Sequence, residues 1–178
     1  MTGYRTPARL FHWIVALLVL ATLPVGQIMI QEGLSRSLQN GLFIFHKNVG
    51  VLILLIVLVR LAYRQFVPPP PLPSAVPDWQ RRVAWVNHAA LYALLVFMAV
   101  TGYVRVRAGG FPIEALDAMG APALVPRSEP LEDWAKAAHW WGRLVLVAII
   151  SLHILAAIWH GVVRRDGVFS RIWPPVAR

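Results

Sequence analysis

The stretch HWWGRLVLVAIISLHILAAIWH, residues 139–160, decides the fold class of this chain. As a helix, this almost uninterrupted apolar run is long enough to cross a hydrocarbon layer about 30 Å thick, which takes about 20 residues. His139 and His153 are fourteen residues apart, so on a helix of about 100° and 1.5 Å per residue they share one face at depths about 21 Å apart. His160 follows seven residues later, again close to that face. One apolar helix therefore carries imidazoles at both depths of a membrane.

Three further apolar stretches of similar length precede this one. The chain has 178 residues, of which 58% are apolar and only 14% are charged, whereas an ordinary soluble domain has roughly 25% charged residues. The pattern predicts an all-α, integral membrane four-helix bundle that forms one domain over residues 1–178. The first run resembles a signal peptide, but it is long and no small-residue cleavage pattern follows it, so we interpret it as a retained helix. The predicted spans are residues 10–30, 42–63, 84–104 and 137–163.

The connections between these spans differ in charge. The two termini and the second connection hold ten basic and two acidic residues, whereas the first and third connections hold seven basic and six acidic ones. The positive-inside rule therefore places both termini in the cytoplasm. Membrane topology accounts for the net charge of +9, so no nucleic-acid partner is expected. The ten basic residues are Arg5, Arg9, Arg60, Arg64, Arg81, Arg82, Arg164, Arg165, Arg171 and Arg178.

The sequences of two connections indicate their structure. Prolines at 68–71 and Pro73 predict a stiff cytoplasmic connector of polyproline type. Residues 105–136 form the sizeable polar loop, which we expect to fold over the opposite mouth of the bundle with a short helix at 112–119.

All six histidines of the chain fall within the four predicted spans. Ionisable side chains in spans are costly and usually line a bundle interior, so each is a candidate functional residue. His46 and His139 are the only histidines in the outer half, which forces their pairing if the site is bis-histidine.

The cytoplasmic half leaves a choice. His12 and His88 begin the first and third spans, and His153 and His160 lie on the fourth. We prefer His12 with His153, because His153 is the more deeply set histidine of the fourth span, although depth does not exclude His88.

Stacked bis-histidine sites favour haem over the other ligands of histidine. Zinc usually takes three or four ligands with carboxylate or thiolate help, and a proton relay normally includes intramembrane Asp or Glu. The span cores contain no Asp or Glu, and the chain has no cysteine. Haem iron needs two axial side chains, and its macrocycle suits apolar surroundings. The residues thus predict two noncovalently bound b-type haems, with room beside the histidines at Gly50, Gly142 and the alanines at 156–157, although small residues also serve ordinary helix packing.

The chain resembles the bacterial cytochrome b561 family over nearly its whole length. The most specific match is the last segment, in which two histidines seven residues apart are followed by the sequence Arg-Asp-Gly. The third connection resembles the family least. The matching segments are RLFHW at 9–13, HKNVGVLILLIVLVRLAYR at 46–64, NHAALYALLVFMAVTGY at 87–103 and HILAAIWHGVVRRDGVFSRIWP at 153–174.

This resemblance implies a bacterial inner-membrane protein with two b haems that passes electrons to or from quinone. The short single-chain form that the sequence is similar to oxidises superoxide and reduces ubiquinone. His88 and His160 match family histidines that do not ligate, and His160 would suit a contact with quinone or a haem propionate. The implied axial ligands of the haem irons are His12 and His153 on the cytoplasmic side, and His46 and His139 on the periplasmic side.

These expectations give a mechanism and two alternatives. Electrons from superoxide or another one-electron donor enter at the periplasmic haem, move along the fourth span and reduce ubiquinone. Lys47, with Lys136 and Arg143, is expected to form a cationic rim that attracts an anion. His160 is expected to supply a proton to the quinone. The first alternative is a haem-bearing membrane anchor that conducts electrons for a periplasmic dehydrogenase or hydrogenase-like partner; the second is a haem-free histidine relay or metal transporter.

Overall fold

Four long apolar helices dominate the computed structural model, which describes residues 3–176. Each is long and apolar enough to cross a membrane, and the described residues contain no β-strand. The all-α, four-span prediction is confirmed. The helices are α1 (Thr6–Ile28), α2 (Arg36–Phe66), α3 (Asp78–Ala108), the short α4 (Glu114–Ala118) and α5 (Glu129–Ile158), followed by a π-helical turn (Trp159–Arg164) and a 3-10 turn (Phe169–Arg171).

The helices extend beyond the predicted spans at most ends. The predicted spans counted only apolar residues, whereas the helices continue into polar residues that stabilise the helix ends. Ser35 caps α2 by accepting a hydrogen bond from the Leu38 amide at 3.3 Å, and acidic residues occupy the first turns of α3 and α5, where the helix dipole favours negative charge. At the other extreme, α1 ends at Ile28 rather than residue 30.

The bundle packs as pairs of helices. The most extensive contacts join α3 to α5, then α1 to α2, then α2 to α3. The buried core between α1 and α2 is small and consists of Val15, Val19, Ile53 and Val57. In the described part of the chain, α5 makes no comparable contact with α1 or α2. Many large apolar side chains are exposed, as a hydrocarbon environment requires.

The short helix expected at residues 112–119 is present as α4 and lies against α2. The Lys47 ammonium donates hydrogen bonds to the Pro112 carbonyl at 2.7 Å and to the Glu114 carboxylate at 2.6 Å. Asn48 donates to Glu114 at 3.1 Å and accepts from the Ala115 amide at 2.9 Å. Because Lys47 and Asn48 directly follow His46, the polar loop covers the end of the bundle that holds His46.

The chain termini and the proline connector meet at the other end. The Tyr4 amide donates to the Arg171 carbonyl at 2.9 Å, and Arg9 donates to the Pro174 carbonyl at 3.0 Å. Arg171 in turn donates to the Pro70 carbonyl of the connector. These segments therefore lie on the same side of the bundle, as the charge pattern predicts. Arg178, which was counted with them, lies outside the described residues.

Candidate haem sites

One end of the bundle holds a two-histidine site. His46 of α2 and His139 of α5 have ring centroids 6.3 Å apart and ring planes at 76°. The Nδ1 atom of His46 lies 3.2 Å from the Thr22 carbonyl, and that of His139 lies 3.1 Å from the Thr101 hydroxyl oxygen. Thr101 gives its own hydrogen to the Phe97 carbonyl at 2.8 Å, so its oxygen is free to accept. This network assigns the proton of both rings to Nδ1 and leaves both Nε2 lone pairs available.

Two glycines, which the sequence did not single out as site residues, cradle these rings. A Cβ atom on Gly26 would lie 2.7 Å from Cε1 of His46, and one on Gly102 would lie 3.2 Å from Cε1 of His139. The imidazoles therefore pack against bare backbone of α1 and α3. Of the glycines that the sequence did suggest, Gly50 faces open space, whereas a Cβ on Gly142 would lie 2.8 Å from Met98, which makes it a helix-packing position.

The opposite end holds a three-histidine site. The ring of His153 on α5 lies 6.1 Å from that of His12 on α1 and 5.6 Å from that of His88 on α3, centroid to centroid. From the sequence, the depth of each histidine in its predicted span allowed either His12 or His88 to be the partner of His153. The fold brings both of them to it.

The spacing of these rings tests whether haem iron fits. A first-row metal ion lies about 2.0 Å from an imidazole nitrogen that binds it, and that nitrogen lies about 1.1 Å from its ring centroid, so two imidazoles on opposite sides of one iron have centroids about 6.2 Å apart. The His46–His139 and His12–His153 separations of 6.3 and 6.1 Å match this value, and the His88–His153 separation of 5.6 Å is shorter. Both matching pairs bridge from α5 to helices with which it makes little backbone contact. Within residues 3–176, no three ligating side chains converge to hold a metal ion alone.

His160 has an acidic partner. Its Nδ1 atom is 2.6 Å from Asp166, and the two side chains are only 15% and 8% exposed. Burial would raise the pKa of Asp166, but the hydrogen bonds from His160 and the Val168 amide outweigh it and lower that pKa. His160 sits in the π-helical turn.

Lys47 is also paired. Its side chain is 12% exposed and bonded to Glu114. Burial would raise the pKa of Glu114, but the hydrogen bond and the positive charge of Lys47 lower it below its usual value. Nearby, Arg107 pairs with Asp117 at 2.5 Å and lowers the pKa of that carboxyl. The loop carboxylates thus neutralise cations at the two-histidine end.

A four-helix membrane bundle with a histidine cluster at each end is the arrangement typical of membrane cytochromes of the b type. The chain belongs to the prokaryotic cytochrome b561 family, whose model matches residues 3–175. Its membership makes it a membrane haem b protein with the electron-transfer chemistry of an oxidoreductase.

Three relatives cover nearly the full chain. It is 29% identical over 170 residues to cytochrome b561 homolog 2 of Escherichia coli (strain K12). This aligned region covers 95% of this chain and 90% of the relative. It is 27% identical over 167 residues to a Yersinia pestis protein named probable superoxide oxidase CybB, with 92% and 91% covered. Cytochrome b561 homolog 1 of E. coli is 24% identical over 163 residues, with 92% of each chain covered.

Proposed function

We propose that this chain is a di-haem cytochrome b of the bacterial inner membrane that transfers electrons from superoxide, on the periplasmic side, to ubiquinone. The observation that carries the proposal is the presence of two imidazole pairs at iron-bridging separations, each with one member on α5. A relative named probable superoxide oxidase supports the choice of donor. Membrane lipid surrounds the four spans.

In this proposal His46 and His139 would hold one haem, and His12 and His153 would hold the other. His12 is chosen over His88 because its 6.1 Å separation from His153 matches a shared iron better than 5.6 Å does. His88 then packs beside the site without ligating. Bound haem b supplies a one-electron redox centre at each site.

The charge pattern orients the molecule in the membrane. With both termini in the cytoplasm, the three-histidine site lies in the cytoplasmic half and the two-histidine site lies in the periplasmic half under α4. The positive charges of Arg105 and Arg143 act on His139 and attract an anionic donor to this end, whereas the charge of Lys47 is compensated by Glu114.

The overall reaction balances with these partners. Two superoxide ions each lose one electron and leave as two molecules of dioxygen. One ubiquinone takes up those two electrons and two protons and becomes ubiquinol. His160 provides a protonatable group at the cytoplasmic end, and Asp166 orients its ring by holding Nδ1, which leaves Nε2 to face the quinone.

Anaerobic stopped-flow mixing of the purified holoprotein with superoxide tests the proposal. We expect haem reduction in the visible spectrum, followed by rapid reoxidation only when ubiquinone is added. A double variant that lacks both α5 ligands, His139→Ala with His153→Ala, is the matched control and should show no haem absorption. Absence of haem reduction in a wild-type protein that contains haem would exclude the superoxide reaction.

A second function is supported by exposed apolar side chains on the polar loop. Phe111, Met119 and Leu124 are 59%, 70% and 79% exposed, which suits a docking surface for a periplasmic dehydrogenase or hydrogenase-like partner. In this case the chain is a haem-bearing anchor that conducts electrons for that partner. Haem that is reduced by a dehydrogenase added to membranes, and not by superoxide, would favour this role.

A further inference from the structure

Three arginines gather beside the three-histidine site. The guanidinium carbons of Arg60 and Arg64 on α2 lie 5.3 and 5.9 Å from the ring centroid of Tyr92 on α3. Tyr92 is four residues after His88, so the two side chains share a helix face one turn apart. The positive charge of Arg60 acts on all three histidines of the site.

Arg171 completes this arginine cluster from the C-terminal turn. It is 5% exposed, and its guanidinium carbon lies 5.4 Å from the ring centroid of Tyr4. One of its amino groups donates to the Pro70 carbonyl, but its buried Nε atom has no hydrogen-bond partner. Its charge, like those of Arg60 and Arg64, acts on His88.

No carboxylate of residues 3–176 compensates this cluster. The carboxylates that form ion pairs do so elsewhere, with Lys47, Arg81, Arg107 and His160. Buried charges are normally paired, because leaving water without a counter-charge is costly. Two tyrosine rings offer only the weaker attraction of their π faces. Arg171, buried with an unused donor, together with the half-buried Arg60 and Arg64, therefore forms a cluster that is incomplete without an anion.

We propose that Arg60, Arg64 and Arg171 bind the propionate carboxylates of the haem at the three-histidine site and thereby fix which edge of the macrocycle faces the cytoplasmic end. This inference rests on the proposed function, since it requires haem at that site. Guanidinium groups match carboxylates in charge and in paired donor geometry. The anion comes with the cofactor, so the cluster is completed only in the holoprotein.

Two measurements on the holoprotein test this assignment. In Arg64→Gln and Arg60→Gln, transfer of one haem to excess apomyoglobin should be on the order of tenfold faster, the size expected for a lost charge-assisted hydrogen bond. The midpoint potential of that haem should fall, because a nearby cation favours the reduced iron. Arg82→Gln, which removes an exposed cation at the same end, is the matched control and should change neither value.

A modified cofactor supplies a test that does not depend on how the variants fold. The wild-type chain reconstituted with haem dimethyl ester, which has no propionate charge, should lose that haem about as fast as Arg64→Gln loses ordinary haem. Combining the ester with Arg64→Gln should add little. Equal retention of haem and its ester by the wild type would overturn the proposal.

Three other results would show which part of the proposal is wrong. A phospholipid that co-purifies with the wild type and is lost from Arg64→Gln in native mass spectrometry, with haem retention unchanged, would show that the cluster binds a lipid phosphate instead. A wild-type protein without haem would refute the proposed function itself. A haem-loaded wild type whose arginine variants behave like Arg82→Gln would refute only the role of the arginine cluster.

Discussion

At the two-histidine end both imidazoles are hydrogen-bonded to the protein, whereas at the three-histidine end the histidine rings contact aromatic neighbours and one another. Thr22 and Thr101 fix the rings of His46 and His139, and the nearby cation Lys47 is paired with a carboxylate. At the other end, the arginine cluster has no carboxylate among the described residues. One site is thus set by the protein alone, and the other needs charge that the cofactor brings. The difference predicts that the two haems respond differently to substitution.

The largest effect is expected from His153→Ala. His153 is the common neighbour of His12 and His88, so its loss leaves no ligand pair with α5 at this end. Haem content by pyridine haemochrome should fall from two per chain to one, and quinone reduction should stop. The remaining haem should still accept electrons, because its Thr22 and Thr101 contacts are untouched. Retention of two haems would contradict the assignment of His153.

His12→Ala and His88→Ala decide which histidine shares the iron with His153. We expect His12→Ala to lose one haem and His88→Ala to keep two, because only the His12 separation matches a bridged iron. The same haemochrome count measures both. The reverse result would move the ligand from α1 to α3 and would leave the His46 site as the only one with the assigned spacing.

His160→Ala should keep both haems and their spectra and slow the reoxidation of reduced haem by ubiquinone about tenfold or more, as expected for loss of a positioned proton donor. Asp166→Asn should slow the same reoxidation to a smaller extent, because Asp166 acts only through His160. It should also shift the pH dependence of the reoxidation rate. Stopped-flow spectroscopy with added quinone provides the rates. An unchanged rate in His160→Ala would place the quinone site elsewhere, with the region near His88 as the next candidate.

Gly26→Ala tests how tightly the two-histidine site is set. The new Cβ would lie 2.7 Å from the His46 ring, and such overpacking typically costs about 1–3 kcal/mol. We expect a lower Tm and a shifted potential of one haem only. Gly50→Ala is the control, because nothing lies within 4 Å of the position that its methyl group would occupy. Equal Tm values for the two variants would mean that His46 moves aside freely.

Glu114→Gln gives the smallest expected effect. The pKa of Glu114 is lowered in the folded chain, so its ion pair with Lys47 stabilises the fold above the unfolded pKa of about 4.3 and loses that effect as pH falls through the lower folded value. The variant should flatten this acid dependence in a thermal melt. It should also free the charge of Lys47 and raise the rate of haem reduction by superoxide a few-fold at low salt, an increase that high salt should remove.

Hydropathy and spacing predicted the four spans and the pairing of His46 with His139, because the bilayer fixes helix length and the depth of each residue along it. They did not predict Gly26 and Gly102, since a contact between helices depends on their relative rotation, which one-dimensional spacing does not contain. The pairing of His160 with Asp166 was missed for a different reason. It depends on the π-helical turn and on the left-handed backbone of Arg165, at φ 48°, which no residue type in that segment indicates.

The contribution of α5 to both histidine pairs has a consequence for biosynthesis. Because α5 follows α1 and α2 along the chain, it leaves the ribosome after them and brings the second histidine of each pair once His12 and His46 are already synthesised. The earlier spans must therefore enter the bilayer with His12 and His46 still lacking their partners, although polar side chains are costly there. Haem capture at either pair would then wait for α5, and a ribosome that stalls before residue 139 would leave a chain without either site.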